Sequence, residues 1–320
     1  MRVLVIGGAG YIGSHVALDL LDKGHQVCVF DNLSTGQRIN LFPQADFIEG
    51  DILDKAALEK AMTGVDAVVH LAAKKAVGES MEKPEMYATN NIVGTLNVLN
   101  VMAQKGVKKI VFSSSAAVYG IPAVSRLDET VPVNPINFYG FTKLEIERFL
   151  TWYDQLKGIR FIALRYFNAV GYDPQGRVKG LEQNPQNLLP IIMEVATQKR
   201  QELEIYGHDY PTPDGTCIRD YIHVSDLATA HSQALDYLEN NGESQILNLG
   251  TEQGTSVLAI VQETEKNIGR AIPHRFVDRR PGDPAMLTAC AEKARNLLGW
   301  KPKHSDLKTI ITSTWAVYPK

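Results

Sequence analysis

Residues 2–15, with the sequence RVLVIGGAGYIGSH, decide the fold of this chain. The apolar, β-branched run at 2–6 predicts a buried strand. Gly7, Gly10 and Gly13 follow at G-x-x-G-x-x-G spacing, and helical periodicity begins directly after the first two. A strand, a glycine turn and a helix in this order are the context of a dinucleotide-binding loop. We therefore expect the three glycines to lie against a pyrophosphate, at the positive end of the helix.

The second and third predicted strands each end next to an aspartate. Residues 26–30 lead to Asp31, 18 residues after Gly13, and residues 46–50 lead to Asp51. A carboxylate at Asp31 can accept hydrogen bonds from the ribose hydroxyls of adenosine and would repel a 2′-phosphate, which favours NAD over NADP. Asp51 is placed to reach the adenine ring.

Strands and helices alternate through the first half of the chain. This alternation implies right-handed crossovers and a parallel sheet covered on both faces, so we predict a doubly wound α/β (Rossmann) fold. After Phe167 a long loop is expected over 168–186. We assign residues 1–167 to an NAD-binding domain and 168–320 mainly to a smaller α/β substrate lobe, leaving open that some of its elements rejoin the main sheet. The other predicted strands are 66–71, 108–114, 159–165, 203–206, 218–222 and 245–249, and the predicted helices are 11–23, 54–63, 84–104, 138–157, 187–199, 225–240, 255–268, 291–298 and 305–317.

The composition argues against several kinds of partner. The 320 residues have a formal net charge of −3 and no basic run, so neither nucleic acid nor an anionic membrane is expected as a partner. The three cysteines lack metal-ligand spacing, which predicts reduced thiols, no metal site and a cytoplasmic location. No apolar run approaches the roughly 18 residues of a membrane span.

A tyrosine and a lysine stand four residues apart at the start of a predicted helix. Tyr139 and Lys143 therefore share one helix face, where the lysine ammonium favours the tyrosine phenolate. Ser113, Ser114 and Ser115 end a predicted strand at the edge that faces the cofactor crevice. Ser115 is the best candidate to hydrogen-bond a reacting hydroxyl, and Tyr139 to exchange its proton during hydride transfer.

Over nearly its whole length the chain resembles the extended short-chain dehydrogenase/reductase family. Within that family it is most similar to the enzymes that epimerise UDP-hexoses at carbon 4. The resemblance rests on GGAGYIGSH at 7–15, DNLS at 31–34, HLAA at 70–73, KAVGES at 75–80, SSSAAVYG at 113–120, YGFTK at 139–143, LRYFN at 164–168, DGTCIRDYIHV at 214–224 and RRPGD at 279–283.

The resemblance implies an NAD site and a catalytic set formed by Ser115, Tyr139 and Lys143. The cofactor-binding residues that it implies, taken position by position, are Gly7, Gly10, Tyr11, Ile12, Gly13, Asp31, Asn32, Leu33, Ser34, Thr35, Gly36, Asp51, Ile52, Leu71, Ala72, Ala73, Lys75, Asn90, Ser115, Tyr139, Lys143 and Phe167.

The resemblance also implies a UDP-sugar site. Its residues are Lys75, Ser115, Ala116, Ala117, Tyr139, Asn168, Asn187, Leu188, Arg219, Tyr221, Arg280, Asp283 and Leu287. Arginines suit the phosphate oxygens and a carboxylate suits the ribose diol. Without the resemblance, Arg219 would be interpreted as the salt-bridge partner of Asp220 or Asp226, and Arg280 as a solvated loop charge.

The implied activity is the interconversion of UDP-galactose and UDP-glucose, by oxidation to a 4-keto sugar and re-reduction on the opposite face. Two alternatives stay open: epimerisation of UDP-N-acetylglucosamine, alone or as a second activity, and a non-catalytic NAD-binding role. Leu287, intermediate in size at the sugar-pocket position, does not decide between hexoses. Ala116 and Ala117 stand where a 4,6-dehydratase has an acid–base pair, which disfavours that reaction. The resemblance further implies a homodimer, joined through the helices near 85–104 and 138–157.

Overall fold

The computed structural model describes residues 1–183, 185–280 and 282–319. Strands occur in both halves of the chain. The strands within these residues are β1 (Arg2–Ile6), β2 (Gln26–Asp31), β3 (Asp46–Glu49), β4 (Ala67–His70), β5 (Lys109–Ser115), β6 (Arg126–Leu127), β7 (Arg160–Tyr166), β8 (Asn168–Val170), β9 (Leu203–Tyr206), β10 (Ile218–His223), β11 (Gln245–Leu249), β12 (Gly254–Ser256), β13 (His274–Val277) and β14 (Met286–Ala289).

Helices connect most of these strands. In chain order they are α1 (Tyr11–Asp22), α2 (Lys55–Ala61), α3 (Val77–Glu82), α4 (Pro84–Tyr87), α5 (Gly94–Lys105), α6 (Phe138–Lys157), α7 (Leu188–Ala196), α8 (Val224–Glu239), α9 (Val257–Ile268), α10 (Glu292–Leu298) and α11 (Leu307–Val317).

The largest sheet has seven strands in the order β11-β7-β5-β4-β1-β2-β3, and all neighbouring pairs are parallel. The chain runs outward from β1 to β3 and then returns to place β4 on the other side of β1. This reversal opens a crevice at the carboxyl ends of β1 and β4. Helices α1 and α8 cover one face of the sheet, and α2, α5 and α6 cover the other. The predicted doubly wound α/β fold is confirmed.

The second half of the chain contributes to more than one sheet. Strand β11 pairs with β7 in the main sheet, and α8 packs against α1. A second sheet has the order β12-β10-β14-β6, with β8 beside β10, and β9 pairs with β13. Some elements after residue 167 therefore do rejoin the main sheet, while the division into a cofactor part and a substrate part stays a prediction.

The predicted helix at 84–104 is wrong as a single element. The segment consists of α4, a π-helical stretch over Ala88–Val93, and α5. Asn91 lies in this stretch with its side chain fully buried, and its amide donates to Lys74 O at 3.0 Å and Thr142 Oγ1 at 3.1 Å. Such bulges often mark functional sites, and hydrophobic periodicity alone cannot show where one interrupts a helix. The predicted loop over 168–186 also contains the short strand β8.

None of the helices in the described ranges is long and apolar enough to cross a membrane. Within the same ranges, no group of three or more His, Cys, Asp or Glu side chains is arranged to hold a metal ion.

Candidate active site

The glycine turn after β1 is closed so tightly that only glycine fits. Gly7 has φ of +85°, and a Cβ added to it would lie 2.6 Å from Ala72 N. A Cβ on Gly13 would lie 2.1 Å from Gly7 O. Both distances are well inside van der Waals contact, so any larger residue must displace backbone. The turn thereby brings main-chain atoms to the surface of the crevice, where they can approach a bound phosphate.

The N-terminus of α1 is open to this turn. Gly10 precedes the helix and offers no side chain to cap it, and an early helical bond runs from Ser14 N to Gly10 O at 2.9 Å. The N–H groups of Tyr11, Ile12 and Gly13 come before that bond and point out of the helix end. Amide groups at a helix N-terminus bind anions, so the turn fits the pyrophosphate of a dinucleotide.

Asp31 is held at the end of β2 by backbone groups. The residue is only 8% exposed, and its carboxylate accepts from Ala9 N at 3.0 Å and from Leu33 N at 2.8 Å. A Cβ on Gly36 would lie 2.8 Å from Asp31 Oδ1, so the loop after β2 closes directly over the carboxylate. Asp31 thus links the predicted ribose loop, which also contains the exposed Ser34 and Thr35, to the glycine turn.

The predicted adenine and ribose residues meet at one hydrogen bond. Asn32 Nδ2 donates to Asp51 Oδ2 at 2.7 Å, and Asp51 Oδ1 accepts from Leu53 N at 2.8 Å. Ile52 differs from these two, because its side chain is buried against Gly94 in the core between α2 and α5. Its carbonyl is also engaged, because Ile52 O accepts from Asn97 Nδ2 at 3.1 Å.

The residues after β4 line the floor of the crevice. Leu71 N and Ala72 N both donate to Ile6 O, at 2.8 and 3.0 Å, so this stretch and the adjoining Ala73 follow the glycine turn closely. Two other predicted cofactor residues have their polar groups engaged elsewhere. The exposed Lys75 forms an ion pair with Glu182. The Asn90 side chain donates to Met86 O at 2.9 Å.

Ser115, Tyr139 and Lys143 come together at the carboxyl end of β5. The Tyr139 and Ser115 hydroxyls are hydrogen-bonded, and Ser115 Oγ also accepts from Ala117 N at 3.1 Å. Lys143 Nζ lies 5.8 Å from the centre of the Tyr139 ring and donates to Ser113 O at 2.8 Å. Helix α6 begins at Phe138, so Tyr139 and Lys143 share its first turns and the same face.

Burial changes the ionisation of both α6 residues. It raises the pKa of Tyr139 to about 12, although the hydrogen bond from Ser115 opposes this shift. It lowers the pKa of Lys143 to about 7, although the charge of Glu147 opposes this shift. A phenolate at neutral pH therefore requires positive charge beside Tyr139, and Lys143 is poised near neutrality as the source of part of it.

The predicted diphosphate arginine lies on β10. Arg219 Nη1 donates to Pro284 O at 2.8 Å, and Nη2 lies 3.4 Å from Asp283 Oδ1. Leu287 of β14 is its register partner. Arg219 therefore pairs with a predicted substrate residue rather than with Asp220 or Asp226, the partners suggested by the sequence without the resemblance.

Asn168, on β8, and Tyr221, on β10, are register partners in the same sheet, and Asn168 Nδ2 donates to Asp220 O at 3.0 Å. The predicted substrate residues Ala116 and Leu287 and the predicted cofactor residue Phe167 pack in one apolar cluster with Leu144. This cluster joins α6, which carries Tyr139 and Lys143, to the strand β14, so the predicted catalytic residues and the predicted substrate residues share a wall.

Arg280 lies on an aromatic ring. Its guanidinium carbon is 3.8 Å from the centre of the Tyr206 ring, and the neighbouring Arg279 is 4.1 Å from the centre of the Tyr210 ring. Asn187 precedes α7 as an exposed residue, and Leu188 begins that helix and packs with the α7, α9 and α11 core. No hydrogen bond or ion pair described for the chain joins Asn187 to Arg219 or Arg280.

A family model described as "NAD dependent epimerase/dehydratase family" matches residues 3–250. The chain belongs to this family. Among curated proteins it is 47% identical to the UDP-glucose 4-epimerase of Streptococcus mutans, over 100% of this chain and 98% of that protein. It is 44% identical to the UDP-glucose 4-epimerase of Bacillus subtilis, over 98% and 96%.

Solved structures of similar proteins cover the chain equally fully. The UDP-glucose 4-epimerase from Brucella ovis in complex with NAD superposes with a TM-score of 0.96 at 45% identity, over 98% of this chain and 97% of that one. The enzyme from Bifidobacterium longum in complex with NAD+ and UDP superposes with a TM-score of 0.91 at 40% identity, over 98% and 97%. This epimerase/dehydratase-family chain therefore has the fold of NAD-binding relatives along its whole length.

Two aromatic residues of this family member were missed by the sequence analysis. Tyr206 and Tyr210 lie beneath the two consecutive arginines that carry the predicted phosphate contact. Tyr206 ends a predicted strand at the edge of the lobe, which was the available signal. Nothing in the local sequence connects either tyrosine to residues some 70 positions later.

Proposed function

We propose that the protein interconverts UDP-galactose and UDP-glucose by inverting the configuration at carbon 4 of the sugar. The observation that carries this proposal is the meeting of Ser115, Tyr139 and Lys143 beside an open dinucleotide-type glycine turn. Relatives that are 44–47% identical over the whole chain bear the name UDP-glucose 4-epimerase, which supports the same activity.

Tyr139 is the proton-transfer group. As a phenolate it takes the proton of the sugar 4-hydroxyl, and it later returns the proton to the oxygen on carbon 4. Ser115, hydrogen-bonded to Tyr139, aligns that hydroxyl with the phenolate. Lys143 supplies positive charge that favours the phenolate against the cost of burial. NAD, when bound, accepts the hydride from carbon 4 and returns it to the opposite face.

The NAD would be held mainly by main-chain groups of the first half of the chain. The turn from Gly7 to Gly13 would take the pyrophosphate. Asp31 and the loop after it would take the adenosine ribose, and Asp51 the adenine. The glycine turn is tightly packed and Asp31 is buried, which suits a cofactor that stays bound through many turnovers.

The sugar must turn over about its link to the diphosphate between the two hydride transfers. The diphosphate therefore needs a firm anchor, and Arg219 and Arg280 supply guanidinium groups for it. The sugar itself needs a loose fit, which the small or apolar walls at Ala117 and Leu287 provide. This division assigns substrate binding mainly to residues 168–320 and cofactor binding mainly to residues 1–167.

We also propose that the protein is a cytoplasmic homodimer. Val93, Trp152 and Leu156 are large apolar side chains, 47%, 59% and 69% exposed, in the segments 85–104 and 138–157. Burial of this surface against a second copy would remove it from water. The expected mass by light scattering is that of two chains, and Trp152→Glu should shift it toward one. A wild-type mass of one chain would contradict the dimer.

A turnover assay on four sugars tests the proposed activity. Purified protein without added NAD is given UDP-galactose, UDP-glucose and their two N-acetylamino counterparts. We expect interconversion of the first pair, together with NAD in the supernatant after heat denaturation. Folded, NAD-loaded protein that interconverts none of the four sugars would overturn the proposal.

A further inference from the structure

A buried ion pair lies beneath the proposed catalytic helix. Glu147 of α6 and Arg165 of β7 are 2% and 4% exposed, and Arg165 Nε and Nη2 donate to the two Glu147 oxygens at 2.9 and 2.6 Å. Burying such a pair costs desolvation energy, and well-packed apolar side chains often stabilise a core as much or more. Stability alone therefore gives no strong reason for charges at this position.

The ion pair contacts the carboxyl end of β5, where the proposed catalytic residues also lie. Glu147 follows Lys143 by one helical turn and faces the same way. Ser114 Oγ donates to Glu147 Oε1 at 2.5 Å, while Ser113 O accepts from Lys143 Nζ at 2.8 Å. Consecutive residues of β5 thus bind the lysine and the glutamate, and Ser115, which bonds Tyr139, comes next.

Arg165 fixes the position of the glutamate carboxylate. Its bidentate contact occupies both carboxylate oxygens, and its Nη1 donates to Tyr119 OH at 3.0 Å. Tyr119 OH in turn lies 2.8 Å from Asn248 Oδ1 and donates to it. Every polar group of this chain of contacts is satisfied inside the protein, so the carboxylate has one orientation.

Among the groups around Lys143, Glu147 is the one whose charge favours the protonated lysine. Lys143 is 3% exposed, and its Nζ lies 4.7 Å from the centre of the Phe112 ring. The titratable groups that face it are Tyr139 and Glu147 on its own helix and His70 on β4. Burial and the charge of Lys143 lower the pKa of His70 to about 3, so this imidazole is neutral at working pH. Burial lowers the pKa of Lys143, and Glu147 acts in the opposite direction.

We propose that Glu147, held by Arg165 and Ser114, is a positioning residue that keeps Lys143 protonated beside Tyr139. The inference deepens the proposed function and rests on it. Glu147 touches neither substrate nor cofactor in this arrangement and acts through the lysine. The ion pair then raises the pH at which the buried Lys143 ammonium loses its proton, because burial without Glu147 would lower the pKa of this lysine further.

The pH profile of kcat in Glu147→Gln tests this role. The amide keeps the shape of the side chain but not the charge, so Lys143 should lose its proton at lower pH. We expect the alkaline limb of kcat to move down by about one pH unit or more, with KM for UDP-galactose within about twofold of wild type. Glu147→Asp should show a smaller shift than Glu147→Gln, because it keeps the negative charge. Glu145→Gln, which removes a carboxylate from the same helix where Glu145 pairs with Arg148, should leave the limb unchanged.

A spectroscopic measurement separates this inference from the proposed activity. Phenolate absorbance near 295 nm is recorded for NAD-loaded protein, with the Tyr139→Phe version of each variant subtracted. In the pH window where only the wild-type lysine keeps its proton, Glu147→Gln should contain less Tyr139 phenolate. This result does not depend on which sugar is turned over, so it stands even if the four-sugar assay fails.

Removal of one partner from a buried pair can unfold a protein. If Glu147→Gln is not folded, the double variant Glu147→Gln/Arg165→Gln removes both charges and is measured in the same way. A folded, NAD-loaded variant of either kind with the wild-type alkaline limb and the wild-type phenolate signal would overturn the inference.

Discussion

The two sides of the crevice present different kinds of binding group, main-chain amides on one side and long side chains on the other. On the cofactor side, the groups that would touch NAD are main-chain amides in turns where a single Cβ has no room, together with Asp31, itself fixed by two amide donors. On the substrate side, the groups are long arginine side chains, and Asp283, the partner of Arg219, is 37% exposed. Main-chain groups in a tight turn cannot move without changing the backbone of the fold. Long side chains can change conformation while the backbone stays in place. The difference matches a reaction that keeps its cofactor and exchanges its sugar.

The largest effect on cofactor binding should come from a substitution that forces the glycine turn on the main-chain side to open. In Gly13→Ala the new Cβ would lie 2.1 Å from Gly7 O, so the turn must open. We expect the purified variant to contain less than about a tenth of the wild-type NAD, and to lose epimerase activity in proportion. The NAD content is read from the absorbance of a heat-denatured supernatant.

The matched control for this change is Gly78→Ala. Gly78 lies in α3, has no positive φ, and has open space where its Cβ would go, so the same substitution should leave NAD content unchanged. Full NAD occupancy in Gly13→Ala would show that the cofactor side is more adjustable than its geometry indicates.

The next largest effect should come at the junction of the two sides. Tyr139→Phe removes one hydroxyl and leaves the glycine turn intact. Because general acid–base groups contribute on the order of 100- to 10,000-fold, we expect kcat to fall within that range while NAD stays bound. Tyr153→Phe is the control, since Tyr153 lies on the same helix and donates only to Asn100 Oδ1, at 2.7 Å. A kcat within tenfold of wild type would remove Tyr139 from the proton-transfer step.

Sequence reasoning predicted the local geometry of the proposed cofactor side more fully than that of the proposed substrate side, and the reason is physical. Gly7, Gly13 and Asp31 act through local backbone geometry, which strand–turn–helix spacing encodes directly. Helix α6, at 138–157, was likewise predicted to the residue.

The substrate side depends on contacts between distant segments. Arg280 meets Tyr206 because β13 pairs in parallel with the distant strand β9, with Val277 opposite Tyr206, and no local pattern records that pairing. The strands β6 and β12 have two and three residues, too few to show a periodicity. The π-helical interruption before α5 contains Asn91, whose buried amide makes tertiary hydrogen bonds that periodicity cannot reveal.

On the substrate side, loss of one anchor should change binding more than chemistry. Arg219→Gln removes the charge proposed to hold the diphosphate, so we expect KM for UDP-galactose to rise about 10- to 100-fold with kcat within about threefold. The control is Arg275→Gln, because Arg275 is an exposed arginine on β13 paired with Glu202 and Glu204. A fall in kcat with unchanged KM would mean that Arg219 acts on the reacting atoms rather than on the anchor.

The smallest effect should come from reshaping the loose sugar wall. Leu287 is partly buried in the apolar cluster that contains Ala116 and Phe167, on the strand beside Arg219. A tyrosine there would take space that a 2-acetamido group needs, and an alanine would release it. We expect the ratio of kcat/KM for UDP-N-acetylglucosamine to that for UDP-glucose to fall about tenfold in Leu287→Tyr and to rise in Leu287→Ala, because a single apolar wall discriminates by roughly that factor. Leu297→Tyr, at an exposed position on α10, should leave the ratio unchanged. If neither change at Leu287 alters the ratio, Leu287 does not form the wall of the sugar pocket. The contrast between the two sides of the crevice would then hold for the diphosphate anchor but not for the sugar.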